Sequence, residues 1–236
     1  MFDAVLAVML TIGLALVFNG VFQYDKHLVK LESYQYNYEQ EYGIDFNITE
    51  EDYNKLSEAE QQQYTEVMNA FKNDSAVIKL YDTMFYSAIA IVSASLLLTH
   101  LILYFAVPLF IGYGQTLGKK IFGIAVVRTS FVKASNFVLF ARAIVGQCIM
   151  ETMVPVLFVL MAVFGMLGSV GTVAILLLWG LNIYCMITTQ TNSTIHDLLS
   201  DTVVVDMMSQ RIFDTEEELI AYKTELQREE AAKAEY

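Results

Sequence analysis

Four stretches of the chain, residues 2–22, 83–111, 143–167 and 170–188, are almost wholly apolar and carry hardly a charge. About 20 such residues suffice for a helix to cross the hydrocarbon of a bilayer. The pattern therefore predicts an all-α, polytopic membrane protein with four transmembrane helices. Between the first two runs, residues 23–82 are polar and show helical signals of another kind. Thr49 to Asp52 and Ser57 to Glu60 have the spacing of capping boxes. Tyr53, Leu56, Tyr64, Met68 and Phe71 recur at roughly helical intervals, and Leu28, Leu31, Tyr38 and Tyr42 suggest an earlier helix continuing from span one. A small helical insertion is the expected result. Pro108 should kink or end the second span, and "GMLGSVG" makes a tight hairpin of the third and fourth. The tail, residues 189–236, begins with a capped short helix and a β-prone run, Thr202 to Val205, and ends in a charged helix started near Asp214 and Glu217.

A mean hydropathy of +0.46 with 17% charged residues agrees with a membrane setting. The net charge of −12 matters through its distribution. Residues 23–82 hold 13 acidic and 5 basic side chains, whereas residues 112–142 form a basic loop with Lys119, Lys120, Arg128, Lys133 and Arg142 and no acid. Short loops rich in Lys and Arg stay cytoplasmic. Both termini are then expected inside, and the Tyr-rich acidic insertion is expected to be extracytoplasmic. Span one lacks the basic start and small-residue cleavage pattern of a signal peptide, so it is expected to remain attached. Cys148 and Cys185 both fall in apolar runs, and no disulfide framework is indicated.

Few residues could carry chemistry. "GQTLGKK" at 114–120 has the wrong spacing for a phosphate-binding loop; Gly114, Thr116, Gly118 and Lys119 read instead as a turn and cation at the membrane surface. Ionisable groups within spans are costly and draw functional attention: Asp3, His100, Glu151 and, at the start of span three, Arg142. Gln147 and Glu151 are four apart and share a helix face. Arg142 and Glu151, nine apart, fall roughly opposite each other on an α-helix, so a partner for Arg142 is expected from another segment. Asn19 and Asn182 read as interhelical hydrogen-bonding residues. In "TIHDLLSDTVVVD" (194–206), Asp197 serves either as part of a capped helix beside His196 and Asp201 or as an acceptor for Arg142 or a lysine of the basic loop.

"FDAVLAVML" at 2–10, "GQTLGKKIFGIAVV" at 114–127, Arg142, and "IHDLLSDTVVV" at 195–205, in this order, resemble the RDD family of small bacterial membrane proteins. The resemblance covers residues 1–22 and 83–206 and makes Asp3 and Asp197 the family's two aspartates. The family arginine, about two turns before the first aspartate, has no counterpart in Met1 and Phe2. Ser200-Asp201 stands where the family tends to have a small residue and glycine. The resemblance implies a multi-pass protein of the bacterial plasma membrane, in a family suggested to move ligands and with some members associated with sodium–proton exchange. Asp3, Glu151 and Asp197 would then exchange protons for a monovalent cation, with Arg142 tuning them, His196 alongside, and a homo-oligomer completing the path. The alternative is a non-transporting membrane adaptor binding partners through the two soluble additions. No catalytic residue, cofactor, metal site or nucleic-acid partner is expected: the chain shows no nucleophile–base pair, no His/Cys metal spacing and no cofactor motif.

Overall fold

The computed structural model describes residues 2–166, 168–189 and 191–234. Leu167, at the expected end of span three, and Glu235, in the charged tail, lie outside them. Among the described residues four helices are long and apolar enough to cross a membrane. The first is α1 (Phe2–Phe22); α2 (Tyr24–Tyr42), α3 (Glu50–Tyr53) and α4 (Glu58–Asn73) of the insertion follow it, and the second span is α5 (Ser75–Ile111). After these come α6 (Leu117–Ile121), β1 (Ile124–Arg128), the third span α7 (Asn136–Val163), the fourth span α8 (Ser169–Thr188), α9 (Ile195–Leu199), β2 (Thr202–Asp206) and α10 (Glu216–Ala234). The chain divides into two compact units, residues 15–92 and residues 1–14 with 93–236.

In the unit of residues 15–92, Gln23 takes a left-handed conformation and breaks α1 from α2, and Gly43 does the same to end α2. Ser57 and Glu60 form the expected reciprocal cap of α4, and Thr49 accepts from the Asp52 N–H. Leu31, Phe71, Val77, Leu80 and Met84 form its core, with Tyr38 and Phe46 meeting Phe71 edge-on at 5.2 and 5.0 Å. Tyr38 also donates to Asp74 at 2.9 Å, which joins α2 to the start of α5. Asn19 bonds Asp25, six residues on, rather than another span. The apolar run beginning at 83 understates the second span, because its helix continues back through Lys79 and Asp82 to Ser75.

In the other unit, the spans α5 and α7 change winding. Leu101–Ala106 and Ala141–Met153 are π-helical, each followed within two residues by one of the chain's two prolines, Pro108 and Pro155. Proline has no N–H and its ring crowds the carbonyl four residues back. Bonding one residue further back relieves the crowding, and the N–H groups of Val107 and Val154 reach Ile102 and Ile149. Pro108 thus rewinds the helix, which ends at Gly112.

The basic loop holds a strand that the apolar pattern did not reveal. β1 pairs antiparallel with β2, Ile124 opposite Asp206 and Arg128 opposite Thr202. Alternation sends Ala125, Val127, Val203 and Val205 to one face, against Tyr113, Met207 and Ile212. Val126 goes to the other, where Leu139 of α7 and Phe105 of α5 seat the ribbon on the end of the bundle. Gly114 is held at φ +62, and a Cβ there would lie 2.8 Å from that of Val126, so the turn before α6 requires glycine. Phe213, 4% exposed, exchanges backbone bonds with Phe131 and Lys133 and anchors the approach to α10. That helix is preceded by Thr215, which caps the N–H of Glu218, one residue later than Asp214.

Asp201 links α9 to β2 at φ +51. Asp tolerates the left-handed region better than most residues, though less freely than Gly. Here its carboxylate also accepts from the Thr129 hydroxyl and, at 3.2 Å, from Arg128. We predict that Asp201→Gly leaves stability within about 1 kcal/mol, because relief of the backbone offsets an exposed ion pair worth little. Asp201→Val, β-branched at positive φ, costs about 2 kcal/mol or more. Thermal unfolding of the two purified variants in one detergent checks the order; equal losses for both would remove the backbone explanation.

Candidate functional site

The start of α1, the last turns of α5, the first half of α7 and the segment after α8 meet at one end of the bundle, and almost every site residue named from the sequence lies there. Arg142 and Asp197 are 7% and 6% exposed. Arg142 Nε and Nη2 donate to Asp197 Oδ1 at 2.9 and 2.8 Å, and Nε also lies 3.2 Å from the Thr202 hydroxyl. Thr202 itself donates to Asp197 Oδ1, and Thr194 reaches Oδ2. Of the two roles open to Asp197, the acceptor for Arg142 is the one the structure shows; Thr194 occupies the cap position of α9 without making a cap bond. Burial alone would raise the Asp197 carboxyl. The charge of Arg142, and the bonds from Arg142 and Thr202, outweigh it and hold the group below the ordinary carboxylate value.

His196 extends this pair into a chain. Its Nε2 lies 2.8 Å from Arg142 Nη2 and its Nδ1 2.6 Å from Glu151 Oε2, while its backbone N–H donates to Glu151 Oε1 at 3.0 Å. Asn182 of α8 stands close to the same carboxylate. With Arg142 donating through Nη2, His196 Nε2 accepts and Nδ1 carries the proton toward Glu151, which fixes a neutral imidazole between a cation and an anion.

The expectation that Arg142 and Glu151 point apart rested on α geometry, and the π winding of Ala141–Met153 changes it. With more residues per turn, a separation of nine closes about two whole turns, and both side chains face α9. Gly146, between them, permits the approach: a Cβ there would lie 2.6 Å from the Cβ of His196. Gly146 and Thr202 are the members of the site missed from sequence, while Thr194 was expected as a cap and reaches Asp197 Oδ2 instead. A lone glycine in a span was the available signal for the first, and Thr202 carried none.

Asp3 works separately. It accepts from the Thr116 hydroxyl at 2.5 Å and the Gly118 N–H at 2.8 Å, so it closes the start of α6, where Thr116 also caps Lys119. Gly118 is required by contact rather than by φ, since a Cβ would lie 2.7 Å from the Asp3 carboxylate. Lys119 stands between the two aspartates. Burial, and then the charge of Arg142, push its amine down to about 7, while Asp197 and Asp3 pull the other way. His100 joins neither group; it bonds the Leu96 carbonyl and approaches Thr152. Among the described residues no cluster of three or more His, Cys, Asp or Glu could hold a metal.

The sequence model of the RDD family matches residues 1–201. The chain belongs to the RDD family. No curated protein and no solved structure matches it. As an RDD family member with four spanning helices, it is a multi-pass membrane protein. The match ends within the Ser200-Asp201 corner, so α10 lies beyond it.

Two predictions follow from this geometry. Arg142→Met strands a buried carboxylate and should cost about 3–5 kcal/mol, whereas adding Asp197→Leu removes the stranded charge and recovers much of it. A double-mutant cycle by denaturation checks this; additive losses would mean the pair is not coupled. Acylation of Lys119 should rise through a midpoint near pH 7, about three units below an ordinary lysine. Asp197→Asn, which removes an anion favouring the ammonium form, should lower that midpoint further. Peptide mass spectrometry across pH reads both shifts, and a midpoint near 10 would put the amine in open water.

Proposed function

We propose that this RDD protein is a proton-coupled transporter of a small ion or solute in a bacterial plasma membrane, with cation/proton exchange as the specific form and both termini cytoplasmic. The observation that carries the reading is the His196–Glu151 contact of 2.6 Å inside a helix bundle, continued to Arg142 and Asp197. Ionisable groups at this depth are expensive to maintain and mark ion or proton pathways in membrane proteins.

Within that reading the roles divide. Asp197 is committed to Arg142 by two charge-assisted bonds and stays ionised, so it holds the framework. Asp3 is committed to the start of α6. Glu151 and His196 are the exchanging pair: a proton can sit on the imidazole or the carboxylate, and a monovalent cation competes for the carboxylate oxygens. A homo-oligomer fits this reading, because α1 and α8 bury no residue within the chain and leave apolar faces for a second copy.

The adaptor reading keeps one observation in its favour. Residues 15–92 have a core of their own around Phe71, and Phe213 fastens the approach to α10, so both additions are built as structured surfaces. In that case the charged chain serves only to hold the bundle end, and the protein is not an enzyme in either case.

Cation-dependent proton flux in proteoliposomes decides between them. The transporter should move protons against an imposed sodium, potassium or lithium gradient. Glu151→Gln should reduce flux at least tenfold, while a folded Asp197→Asn shows a smaller loss. Absence of flux for all three cations in well-folded wild type would sink the exchanger and leave the adaptor.

A further inference from the structure

A cavity of about 380 Å³ opens between α1, α5 and α7, lined by none of Arg142, Glu151, His196 and Asp197, with mostly apolar walls that include Ala7 and Val8. Its polar members are Thr11, His100, Tyr104, Gln147 and Thr152. Thr11 is satisfied by Thr99 at 3.0 Å, and Tyr104 donates to the Asp3 carbonyl at 3.4 Å. The other three do not close among themselves.

A proton count shows why. The Leu96 carbonyl, 2.8 Å from His100 Nδ1, can only accept, so Nδ1 carries the proton and Nε2 of the neutral ring needs a donor. Its neighbour is the Thr152 hydroxyl at 3.4 Å, whose single proton is already given to the Gln147 carbonyl at 2.9 Å. The Gln147 side-chain Oε1 is buried and has no hydrogen-bond partner among the described residues. The wall therefore presents one acceptor in want of a proton and one amide able to donate as well as accept. No carboxylate or cation lines the space, which disfavours a charged occupant.

We infer that this cavity is a binding site for a neutral, membrane-soluble amphiphile with a hydroxyl head: the hydroxyl donates to His100 Nε2 and accepts from the Gln147 amide, and the hydrocarbon lies along α1. Pockets of a few hundred Å³ with apolar walls and few placed polar groups are the usual form of small-molecule sites. The inference is independent of the transport reading.

Photolabelling of the full-length protein in nanodiscs with a diazirine-bearing dodecanol tests it. Adducts should map to Ala4–Ile12 and Leu96–Tyr104 and be displaced by dodecanol. Dodecane, lacking the head, should compete about fivefold or more weakly, the worth of one neutral hydrogen bond. Gln147→Leu should narrow that gap, and Ala7→Phe, which fills the space, should abolish specific labelling. Both variants are scored only at wild-type helicity and unfolding temperature. If Ala7→Phe does not fold, the dodecanol-to-dodecane ratio and Gln147→Leu still decide. Equal competition by dodecane would overturn the site as one for a hydroxyl head. Stronger competition by dodecyltrimethylammonium would overturn its neutrality, and adducts scattered along all spans would overturn the site itself.

Discussion

A guanidinium and a carboxylate with almost no water around them must find each other, and the bundle end is arranged around that requirement. Arg142 stands near the start of α7 and Asp197 on a short helix 55 residues later, so their bond fixes where the chain returns after α8. The same bond brings Thr202 to Arg142, which sets where β2 begins. Strand pairing then fixes β1, and the Val126 face of β1 seats the ribbon on α5 and α7. Removing either charge leaves the other buried and unpaired, which is worse than having neither. This asymmetry makes the pair a constraint on the fold as well as a contribution to its stability.

Proline enforces a second constraint that operates through the first. Pro155 loosens the winding of α7 up to residue 153, and the looser winding brings Arg142, Gly146 and Glu151 onto the face that meets α9. An α-helix over the same residues would turn Glu151 away from His196. π-helical segments are uncommon and cluster at functional sites because they buy orientation at the expense of good backbone bonding. Here the orientation obtained is that of a titratable pair beside a fixed ion pair.

The spans were legible because a bilayer demands long apolar runs, and the cap of α4 was legible because Ser57 and Glu60 satisfy a local requirement. Asp3 and Asp197 were visible through order and motif, since residues 1–22, 114–127 and 195–205 keep the RDD pattern. What pattern could not give was any relation depending on helix winding or on distant contact. The rotation between Arg142 and Glu151 depends on a π winding that residue spacing does not show. β1 was hidden because a strand buried on both faces shows no alternation, and "IAVV" reads equally well as part of a loop near the membrane. Asp201 illustrates the intermediate case: its departure from the family's glycine was plain, and the left-handed backbone that gives the departure its meaning was not.

Asp3 and Asp197 solve different problems, and the difference bears on how any proton chemistry could be organised. Asp3 answers the unpaired N–H groups at the start of α6 and, through Gly118, draws that helix against α1. Asp197 answers a buried cation. Neither has oxygens to spare, so neither is suited to give up its partners in each cycle without releasing a structural element. Glu151 is different. Its partners are a neutral imidazole and a backbone N–H, both of which tolerate a change of charge on the carboxylate at modest cost. A site that must change protonation without losing its scaffold needs this separation between groups that stay ionised and a pair that need not. In this chain the boundary between them passes through the imidazole of His196.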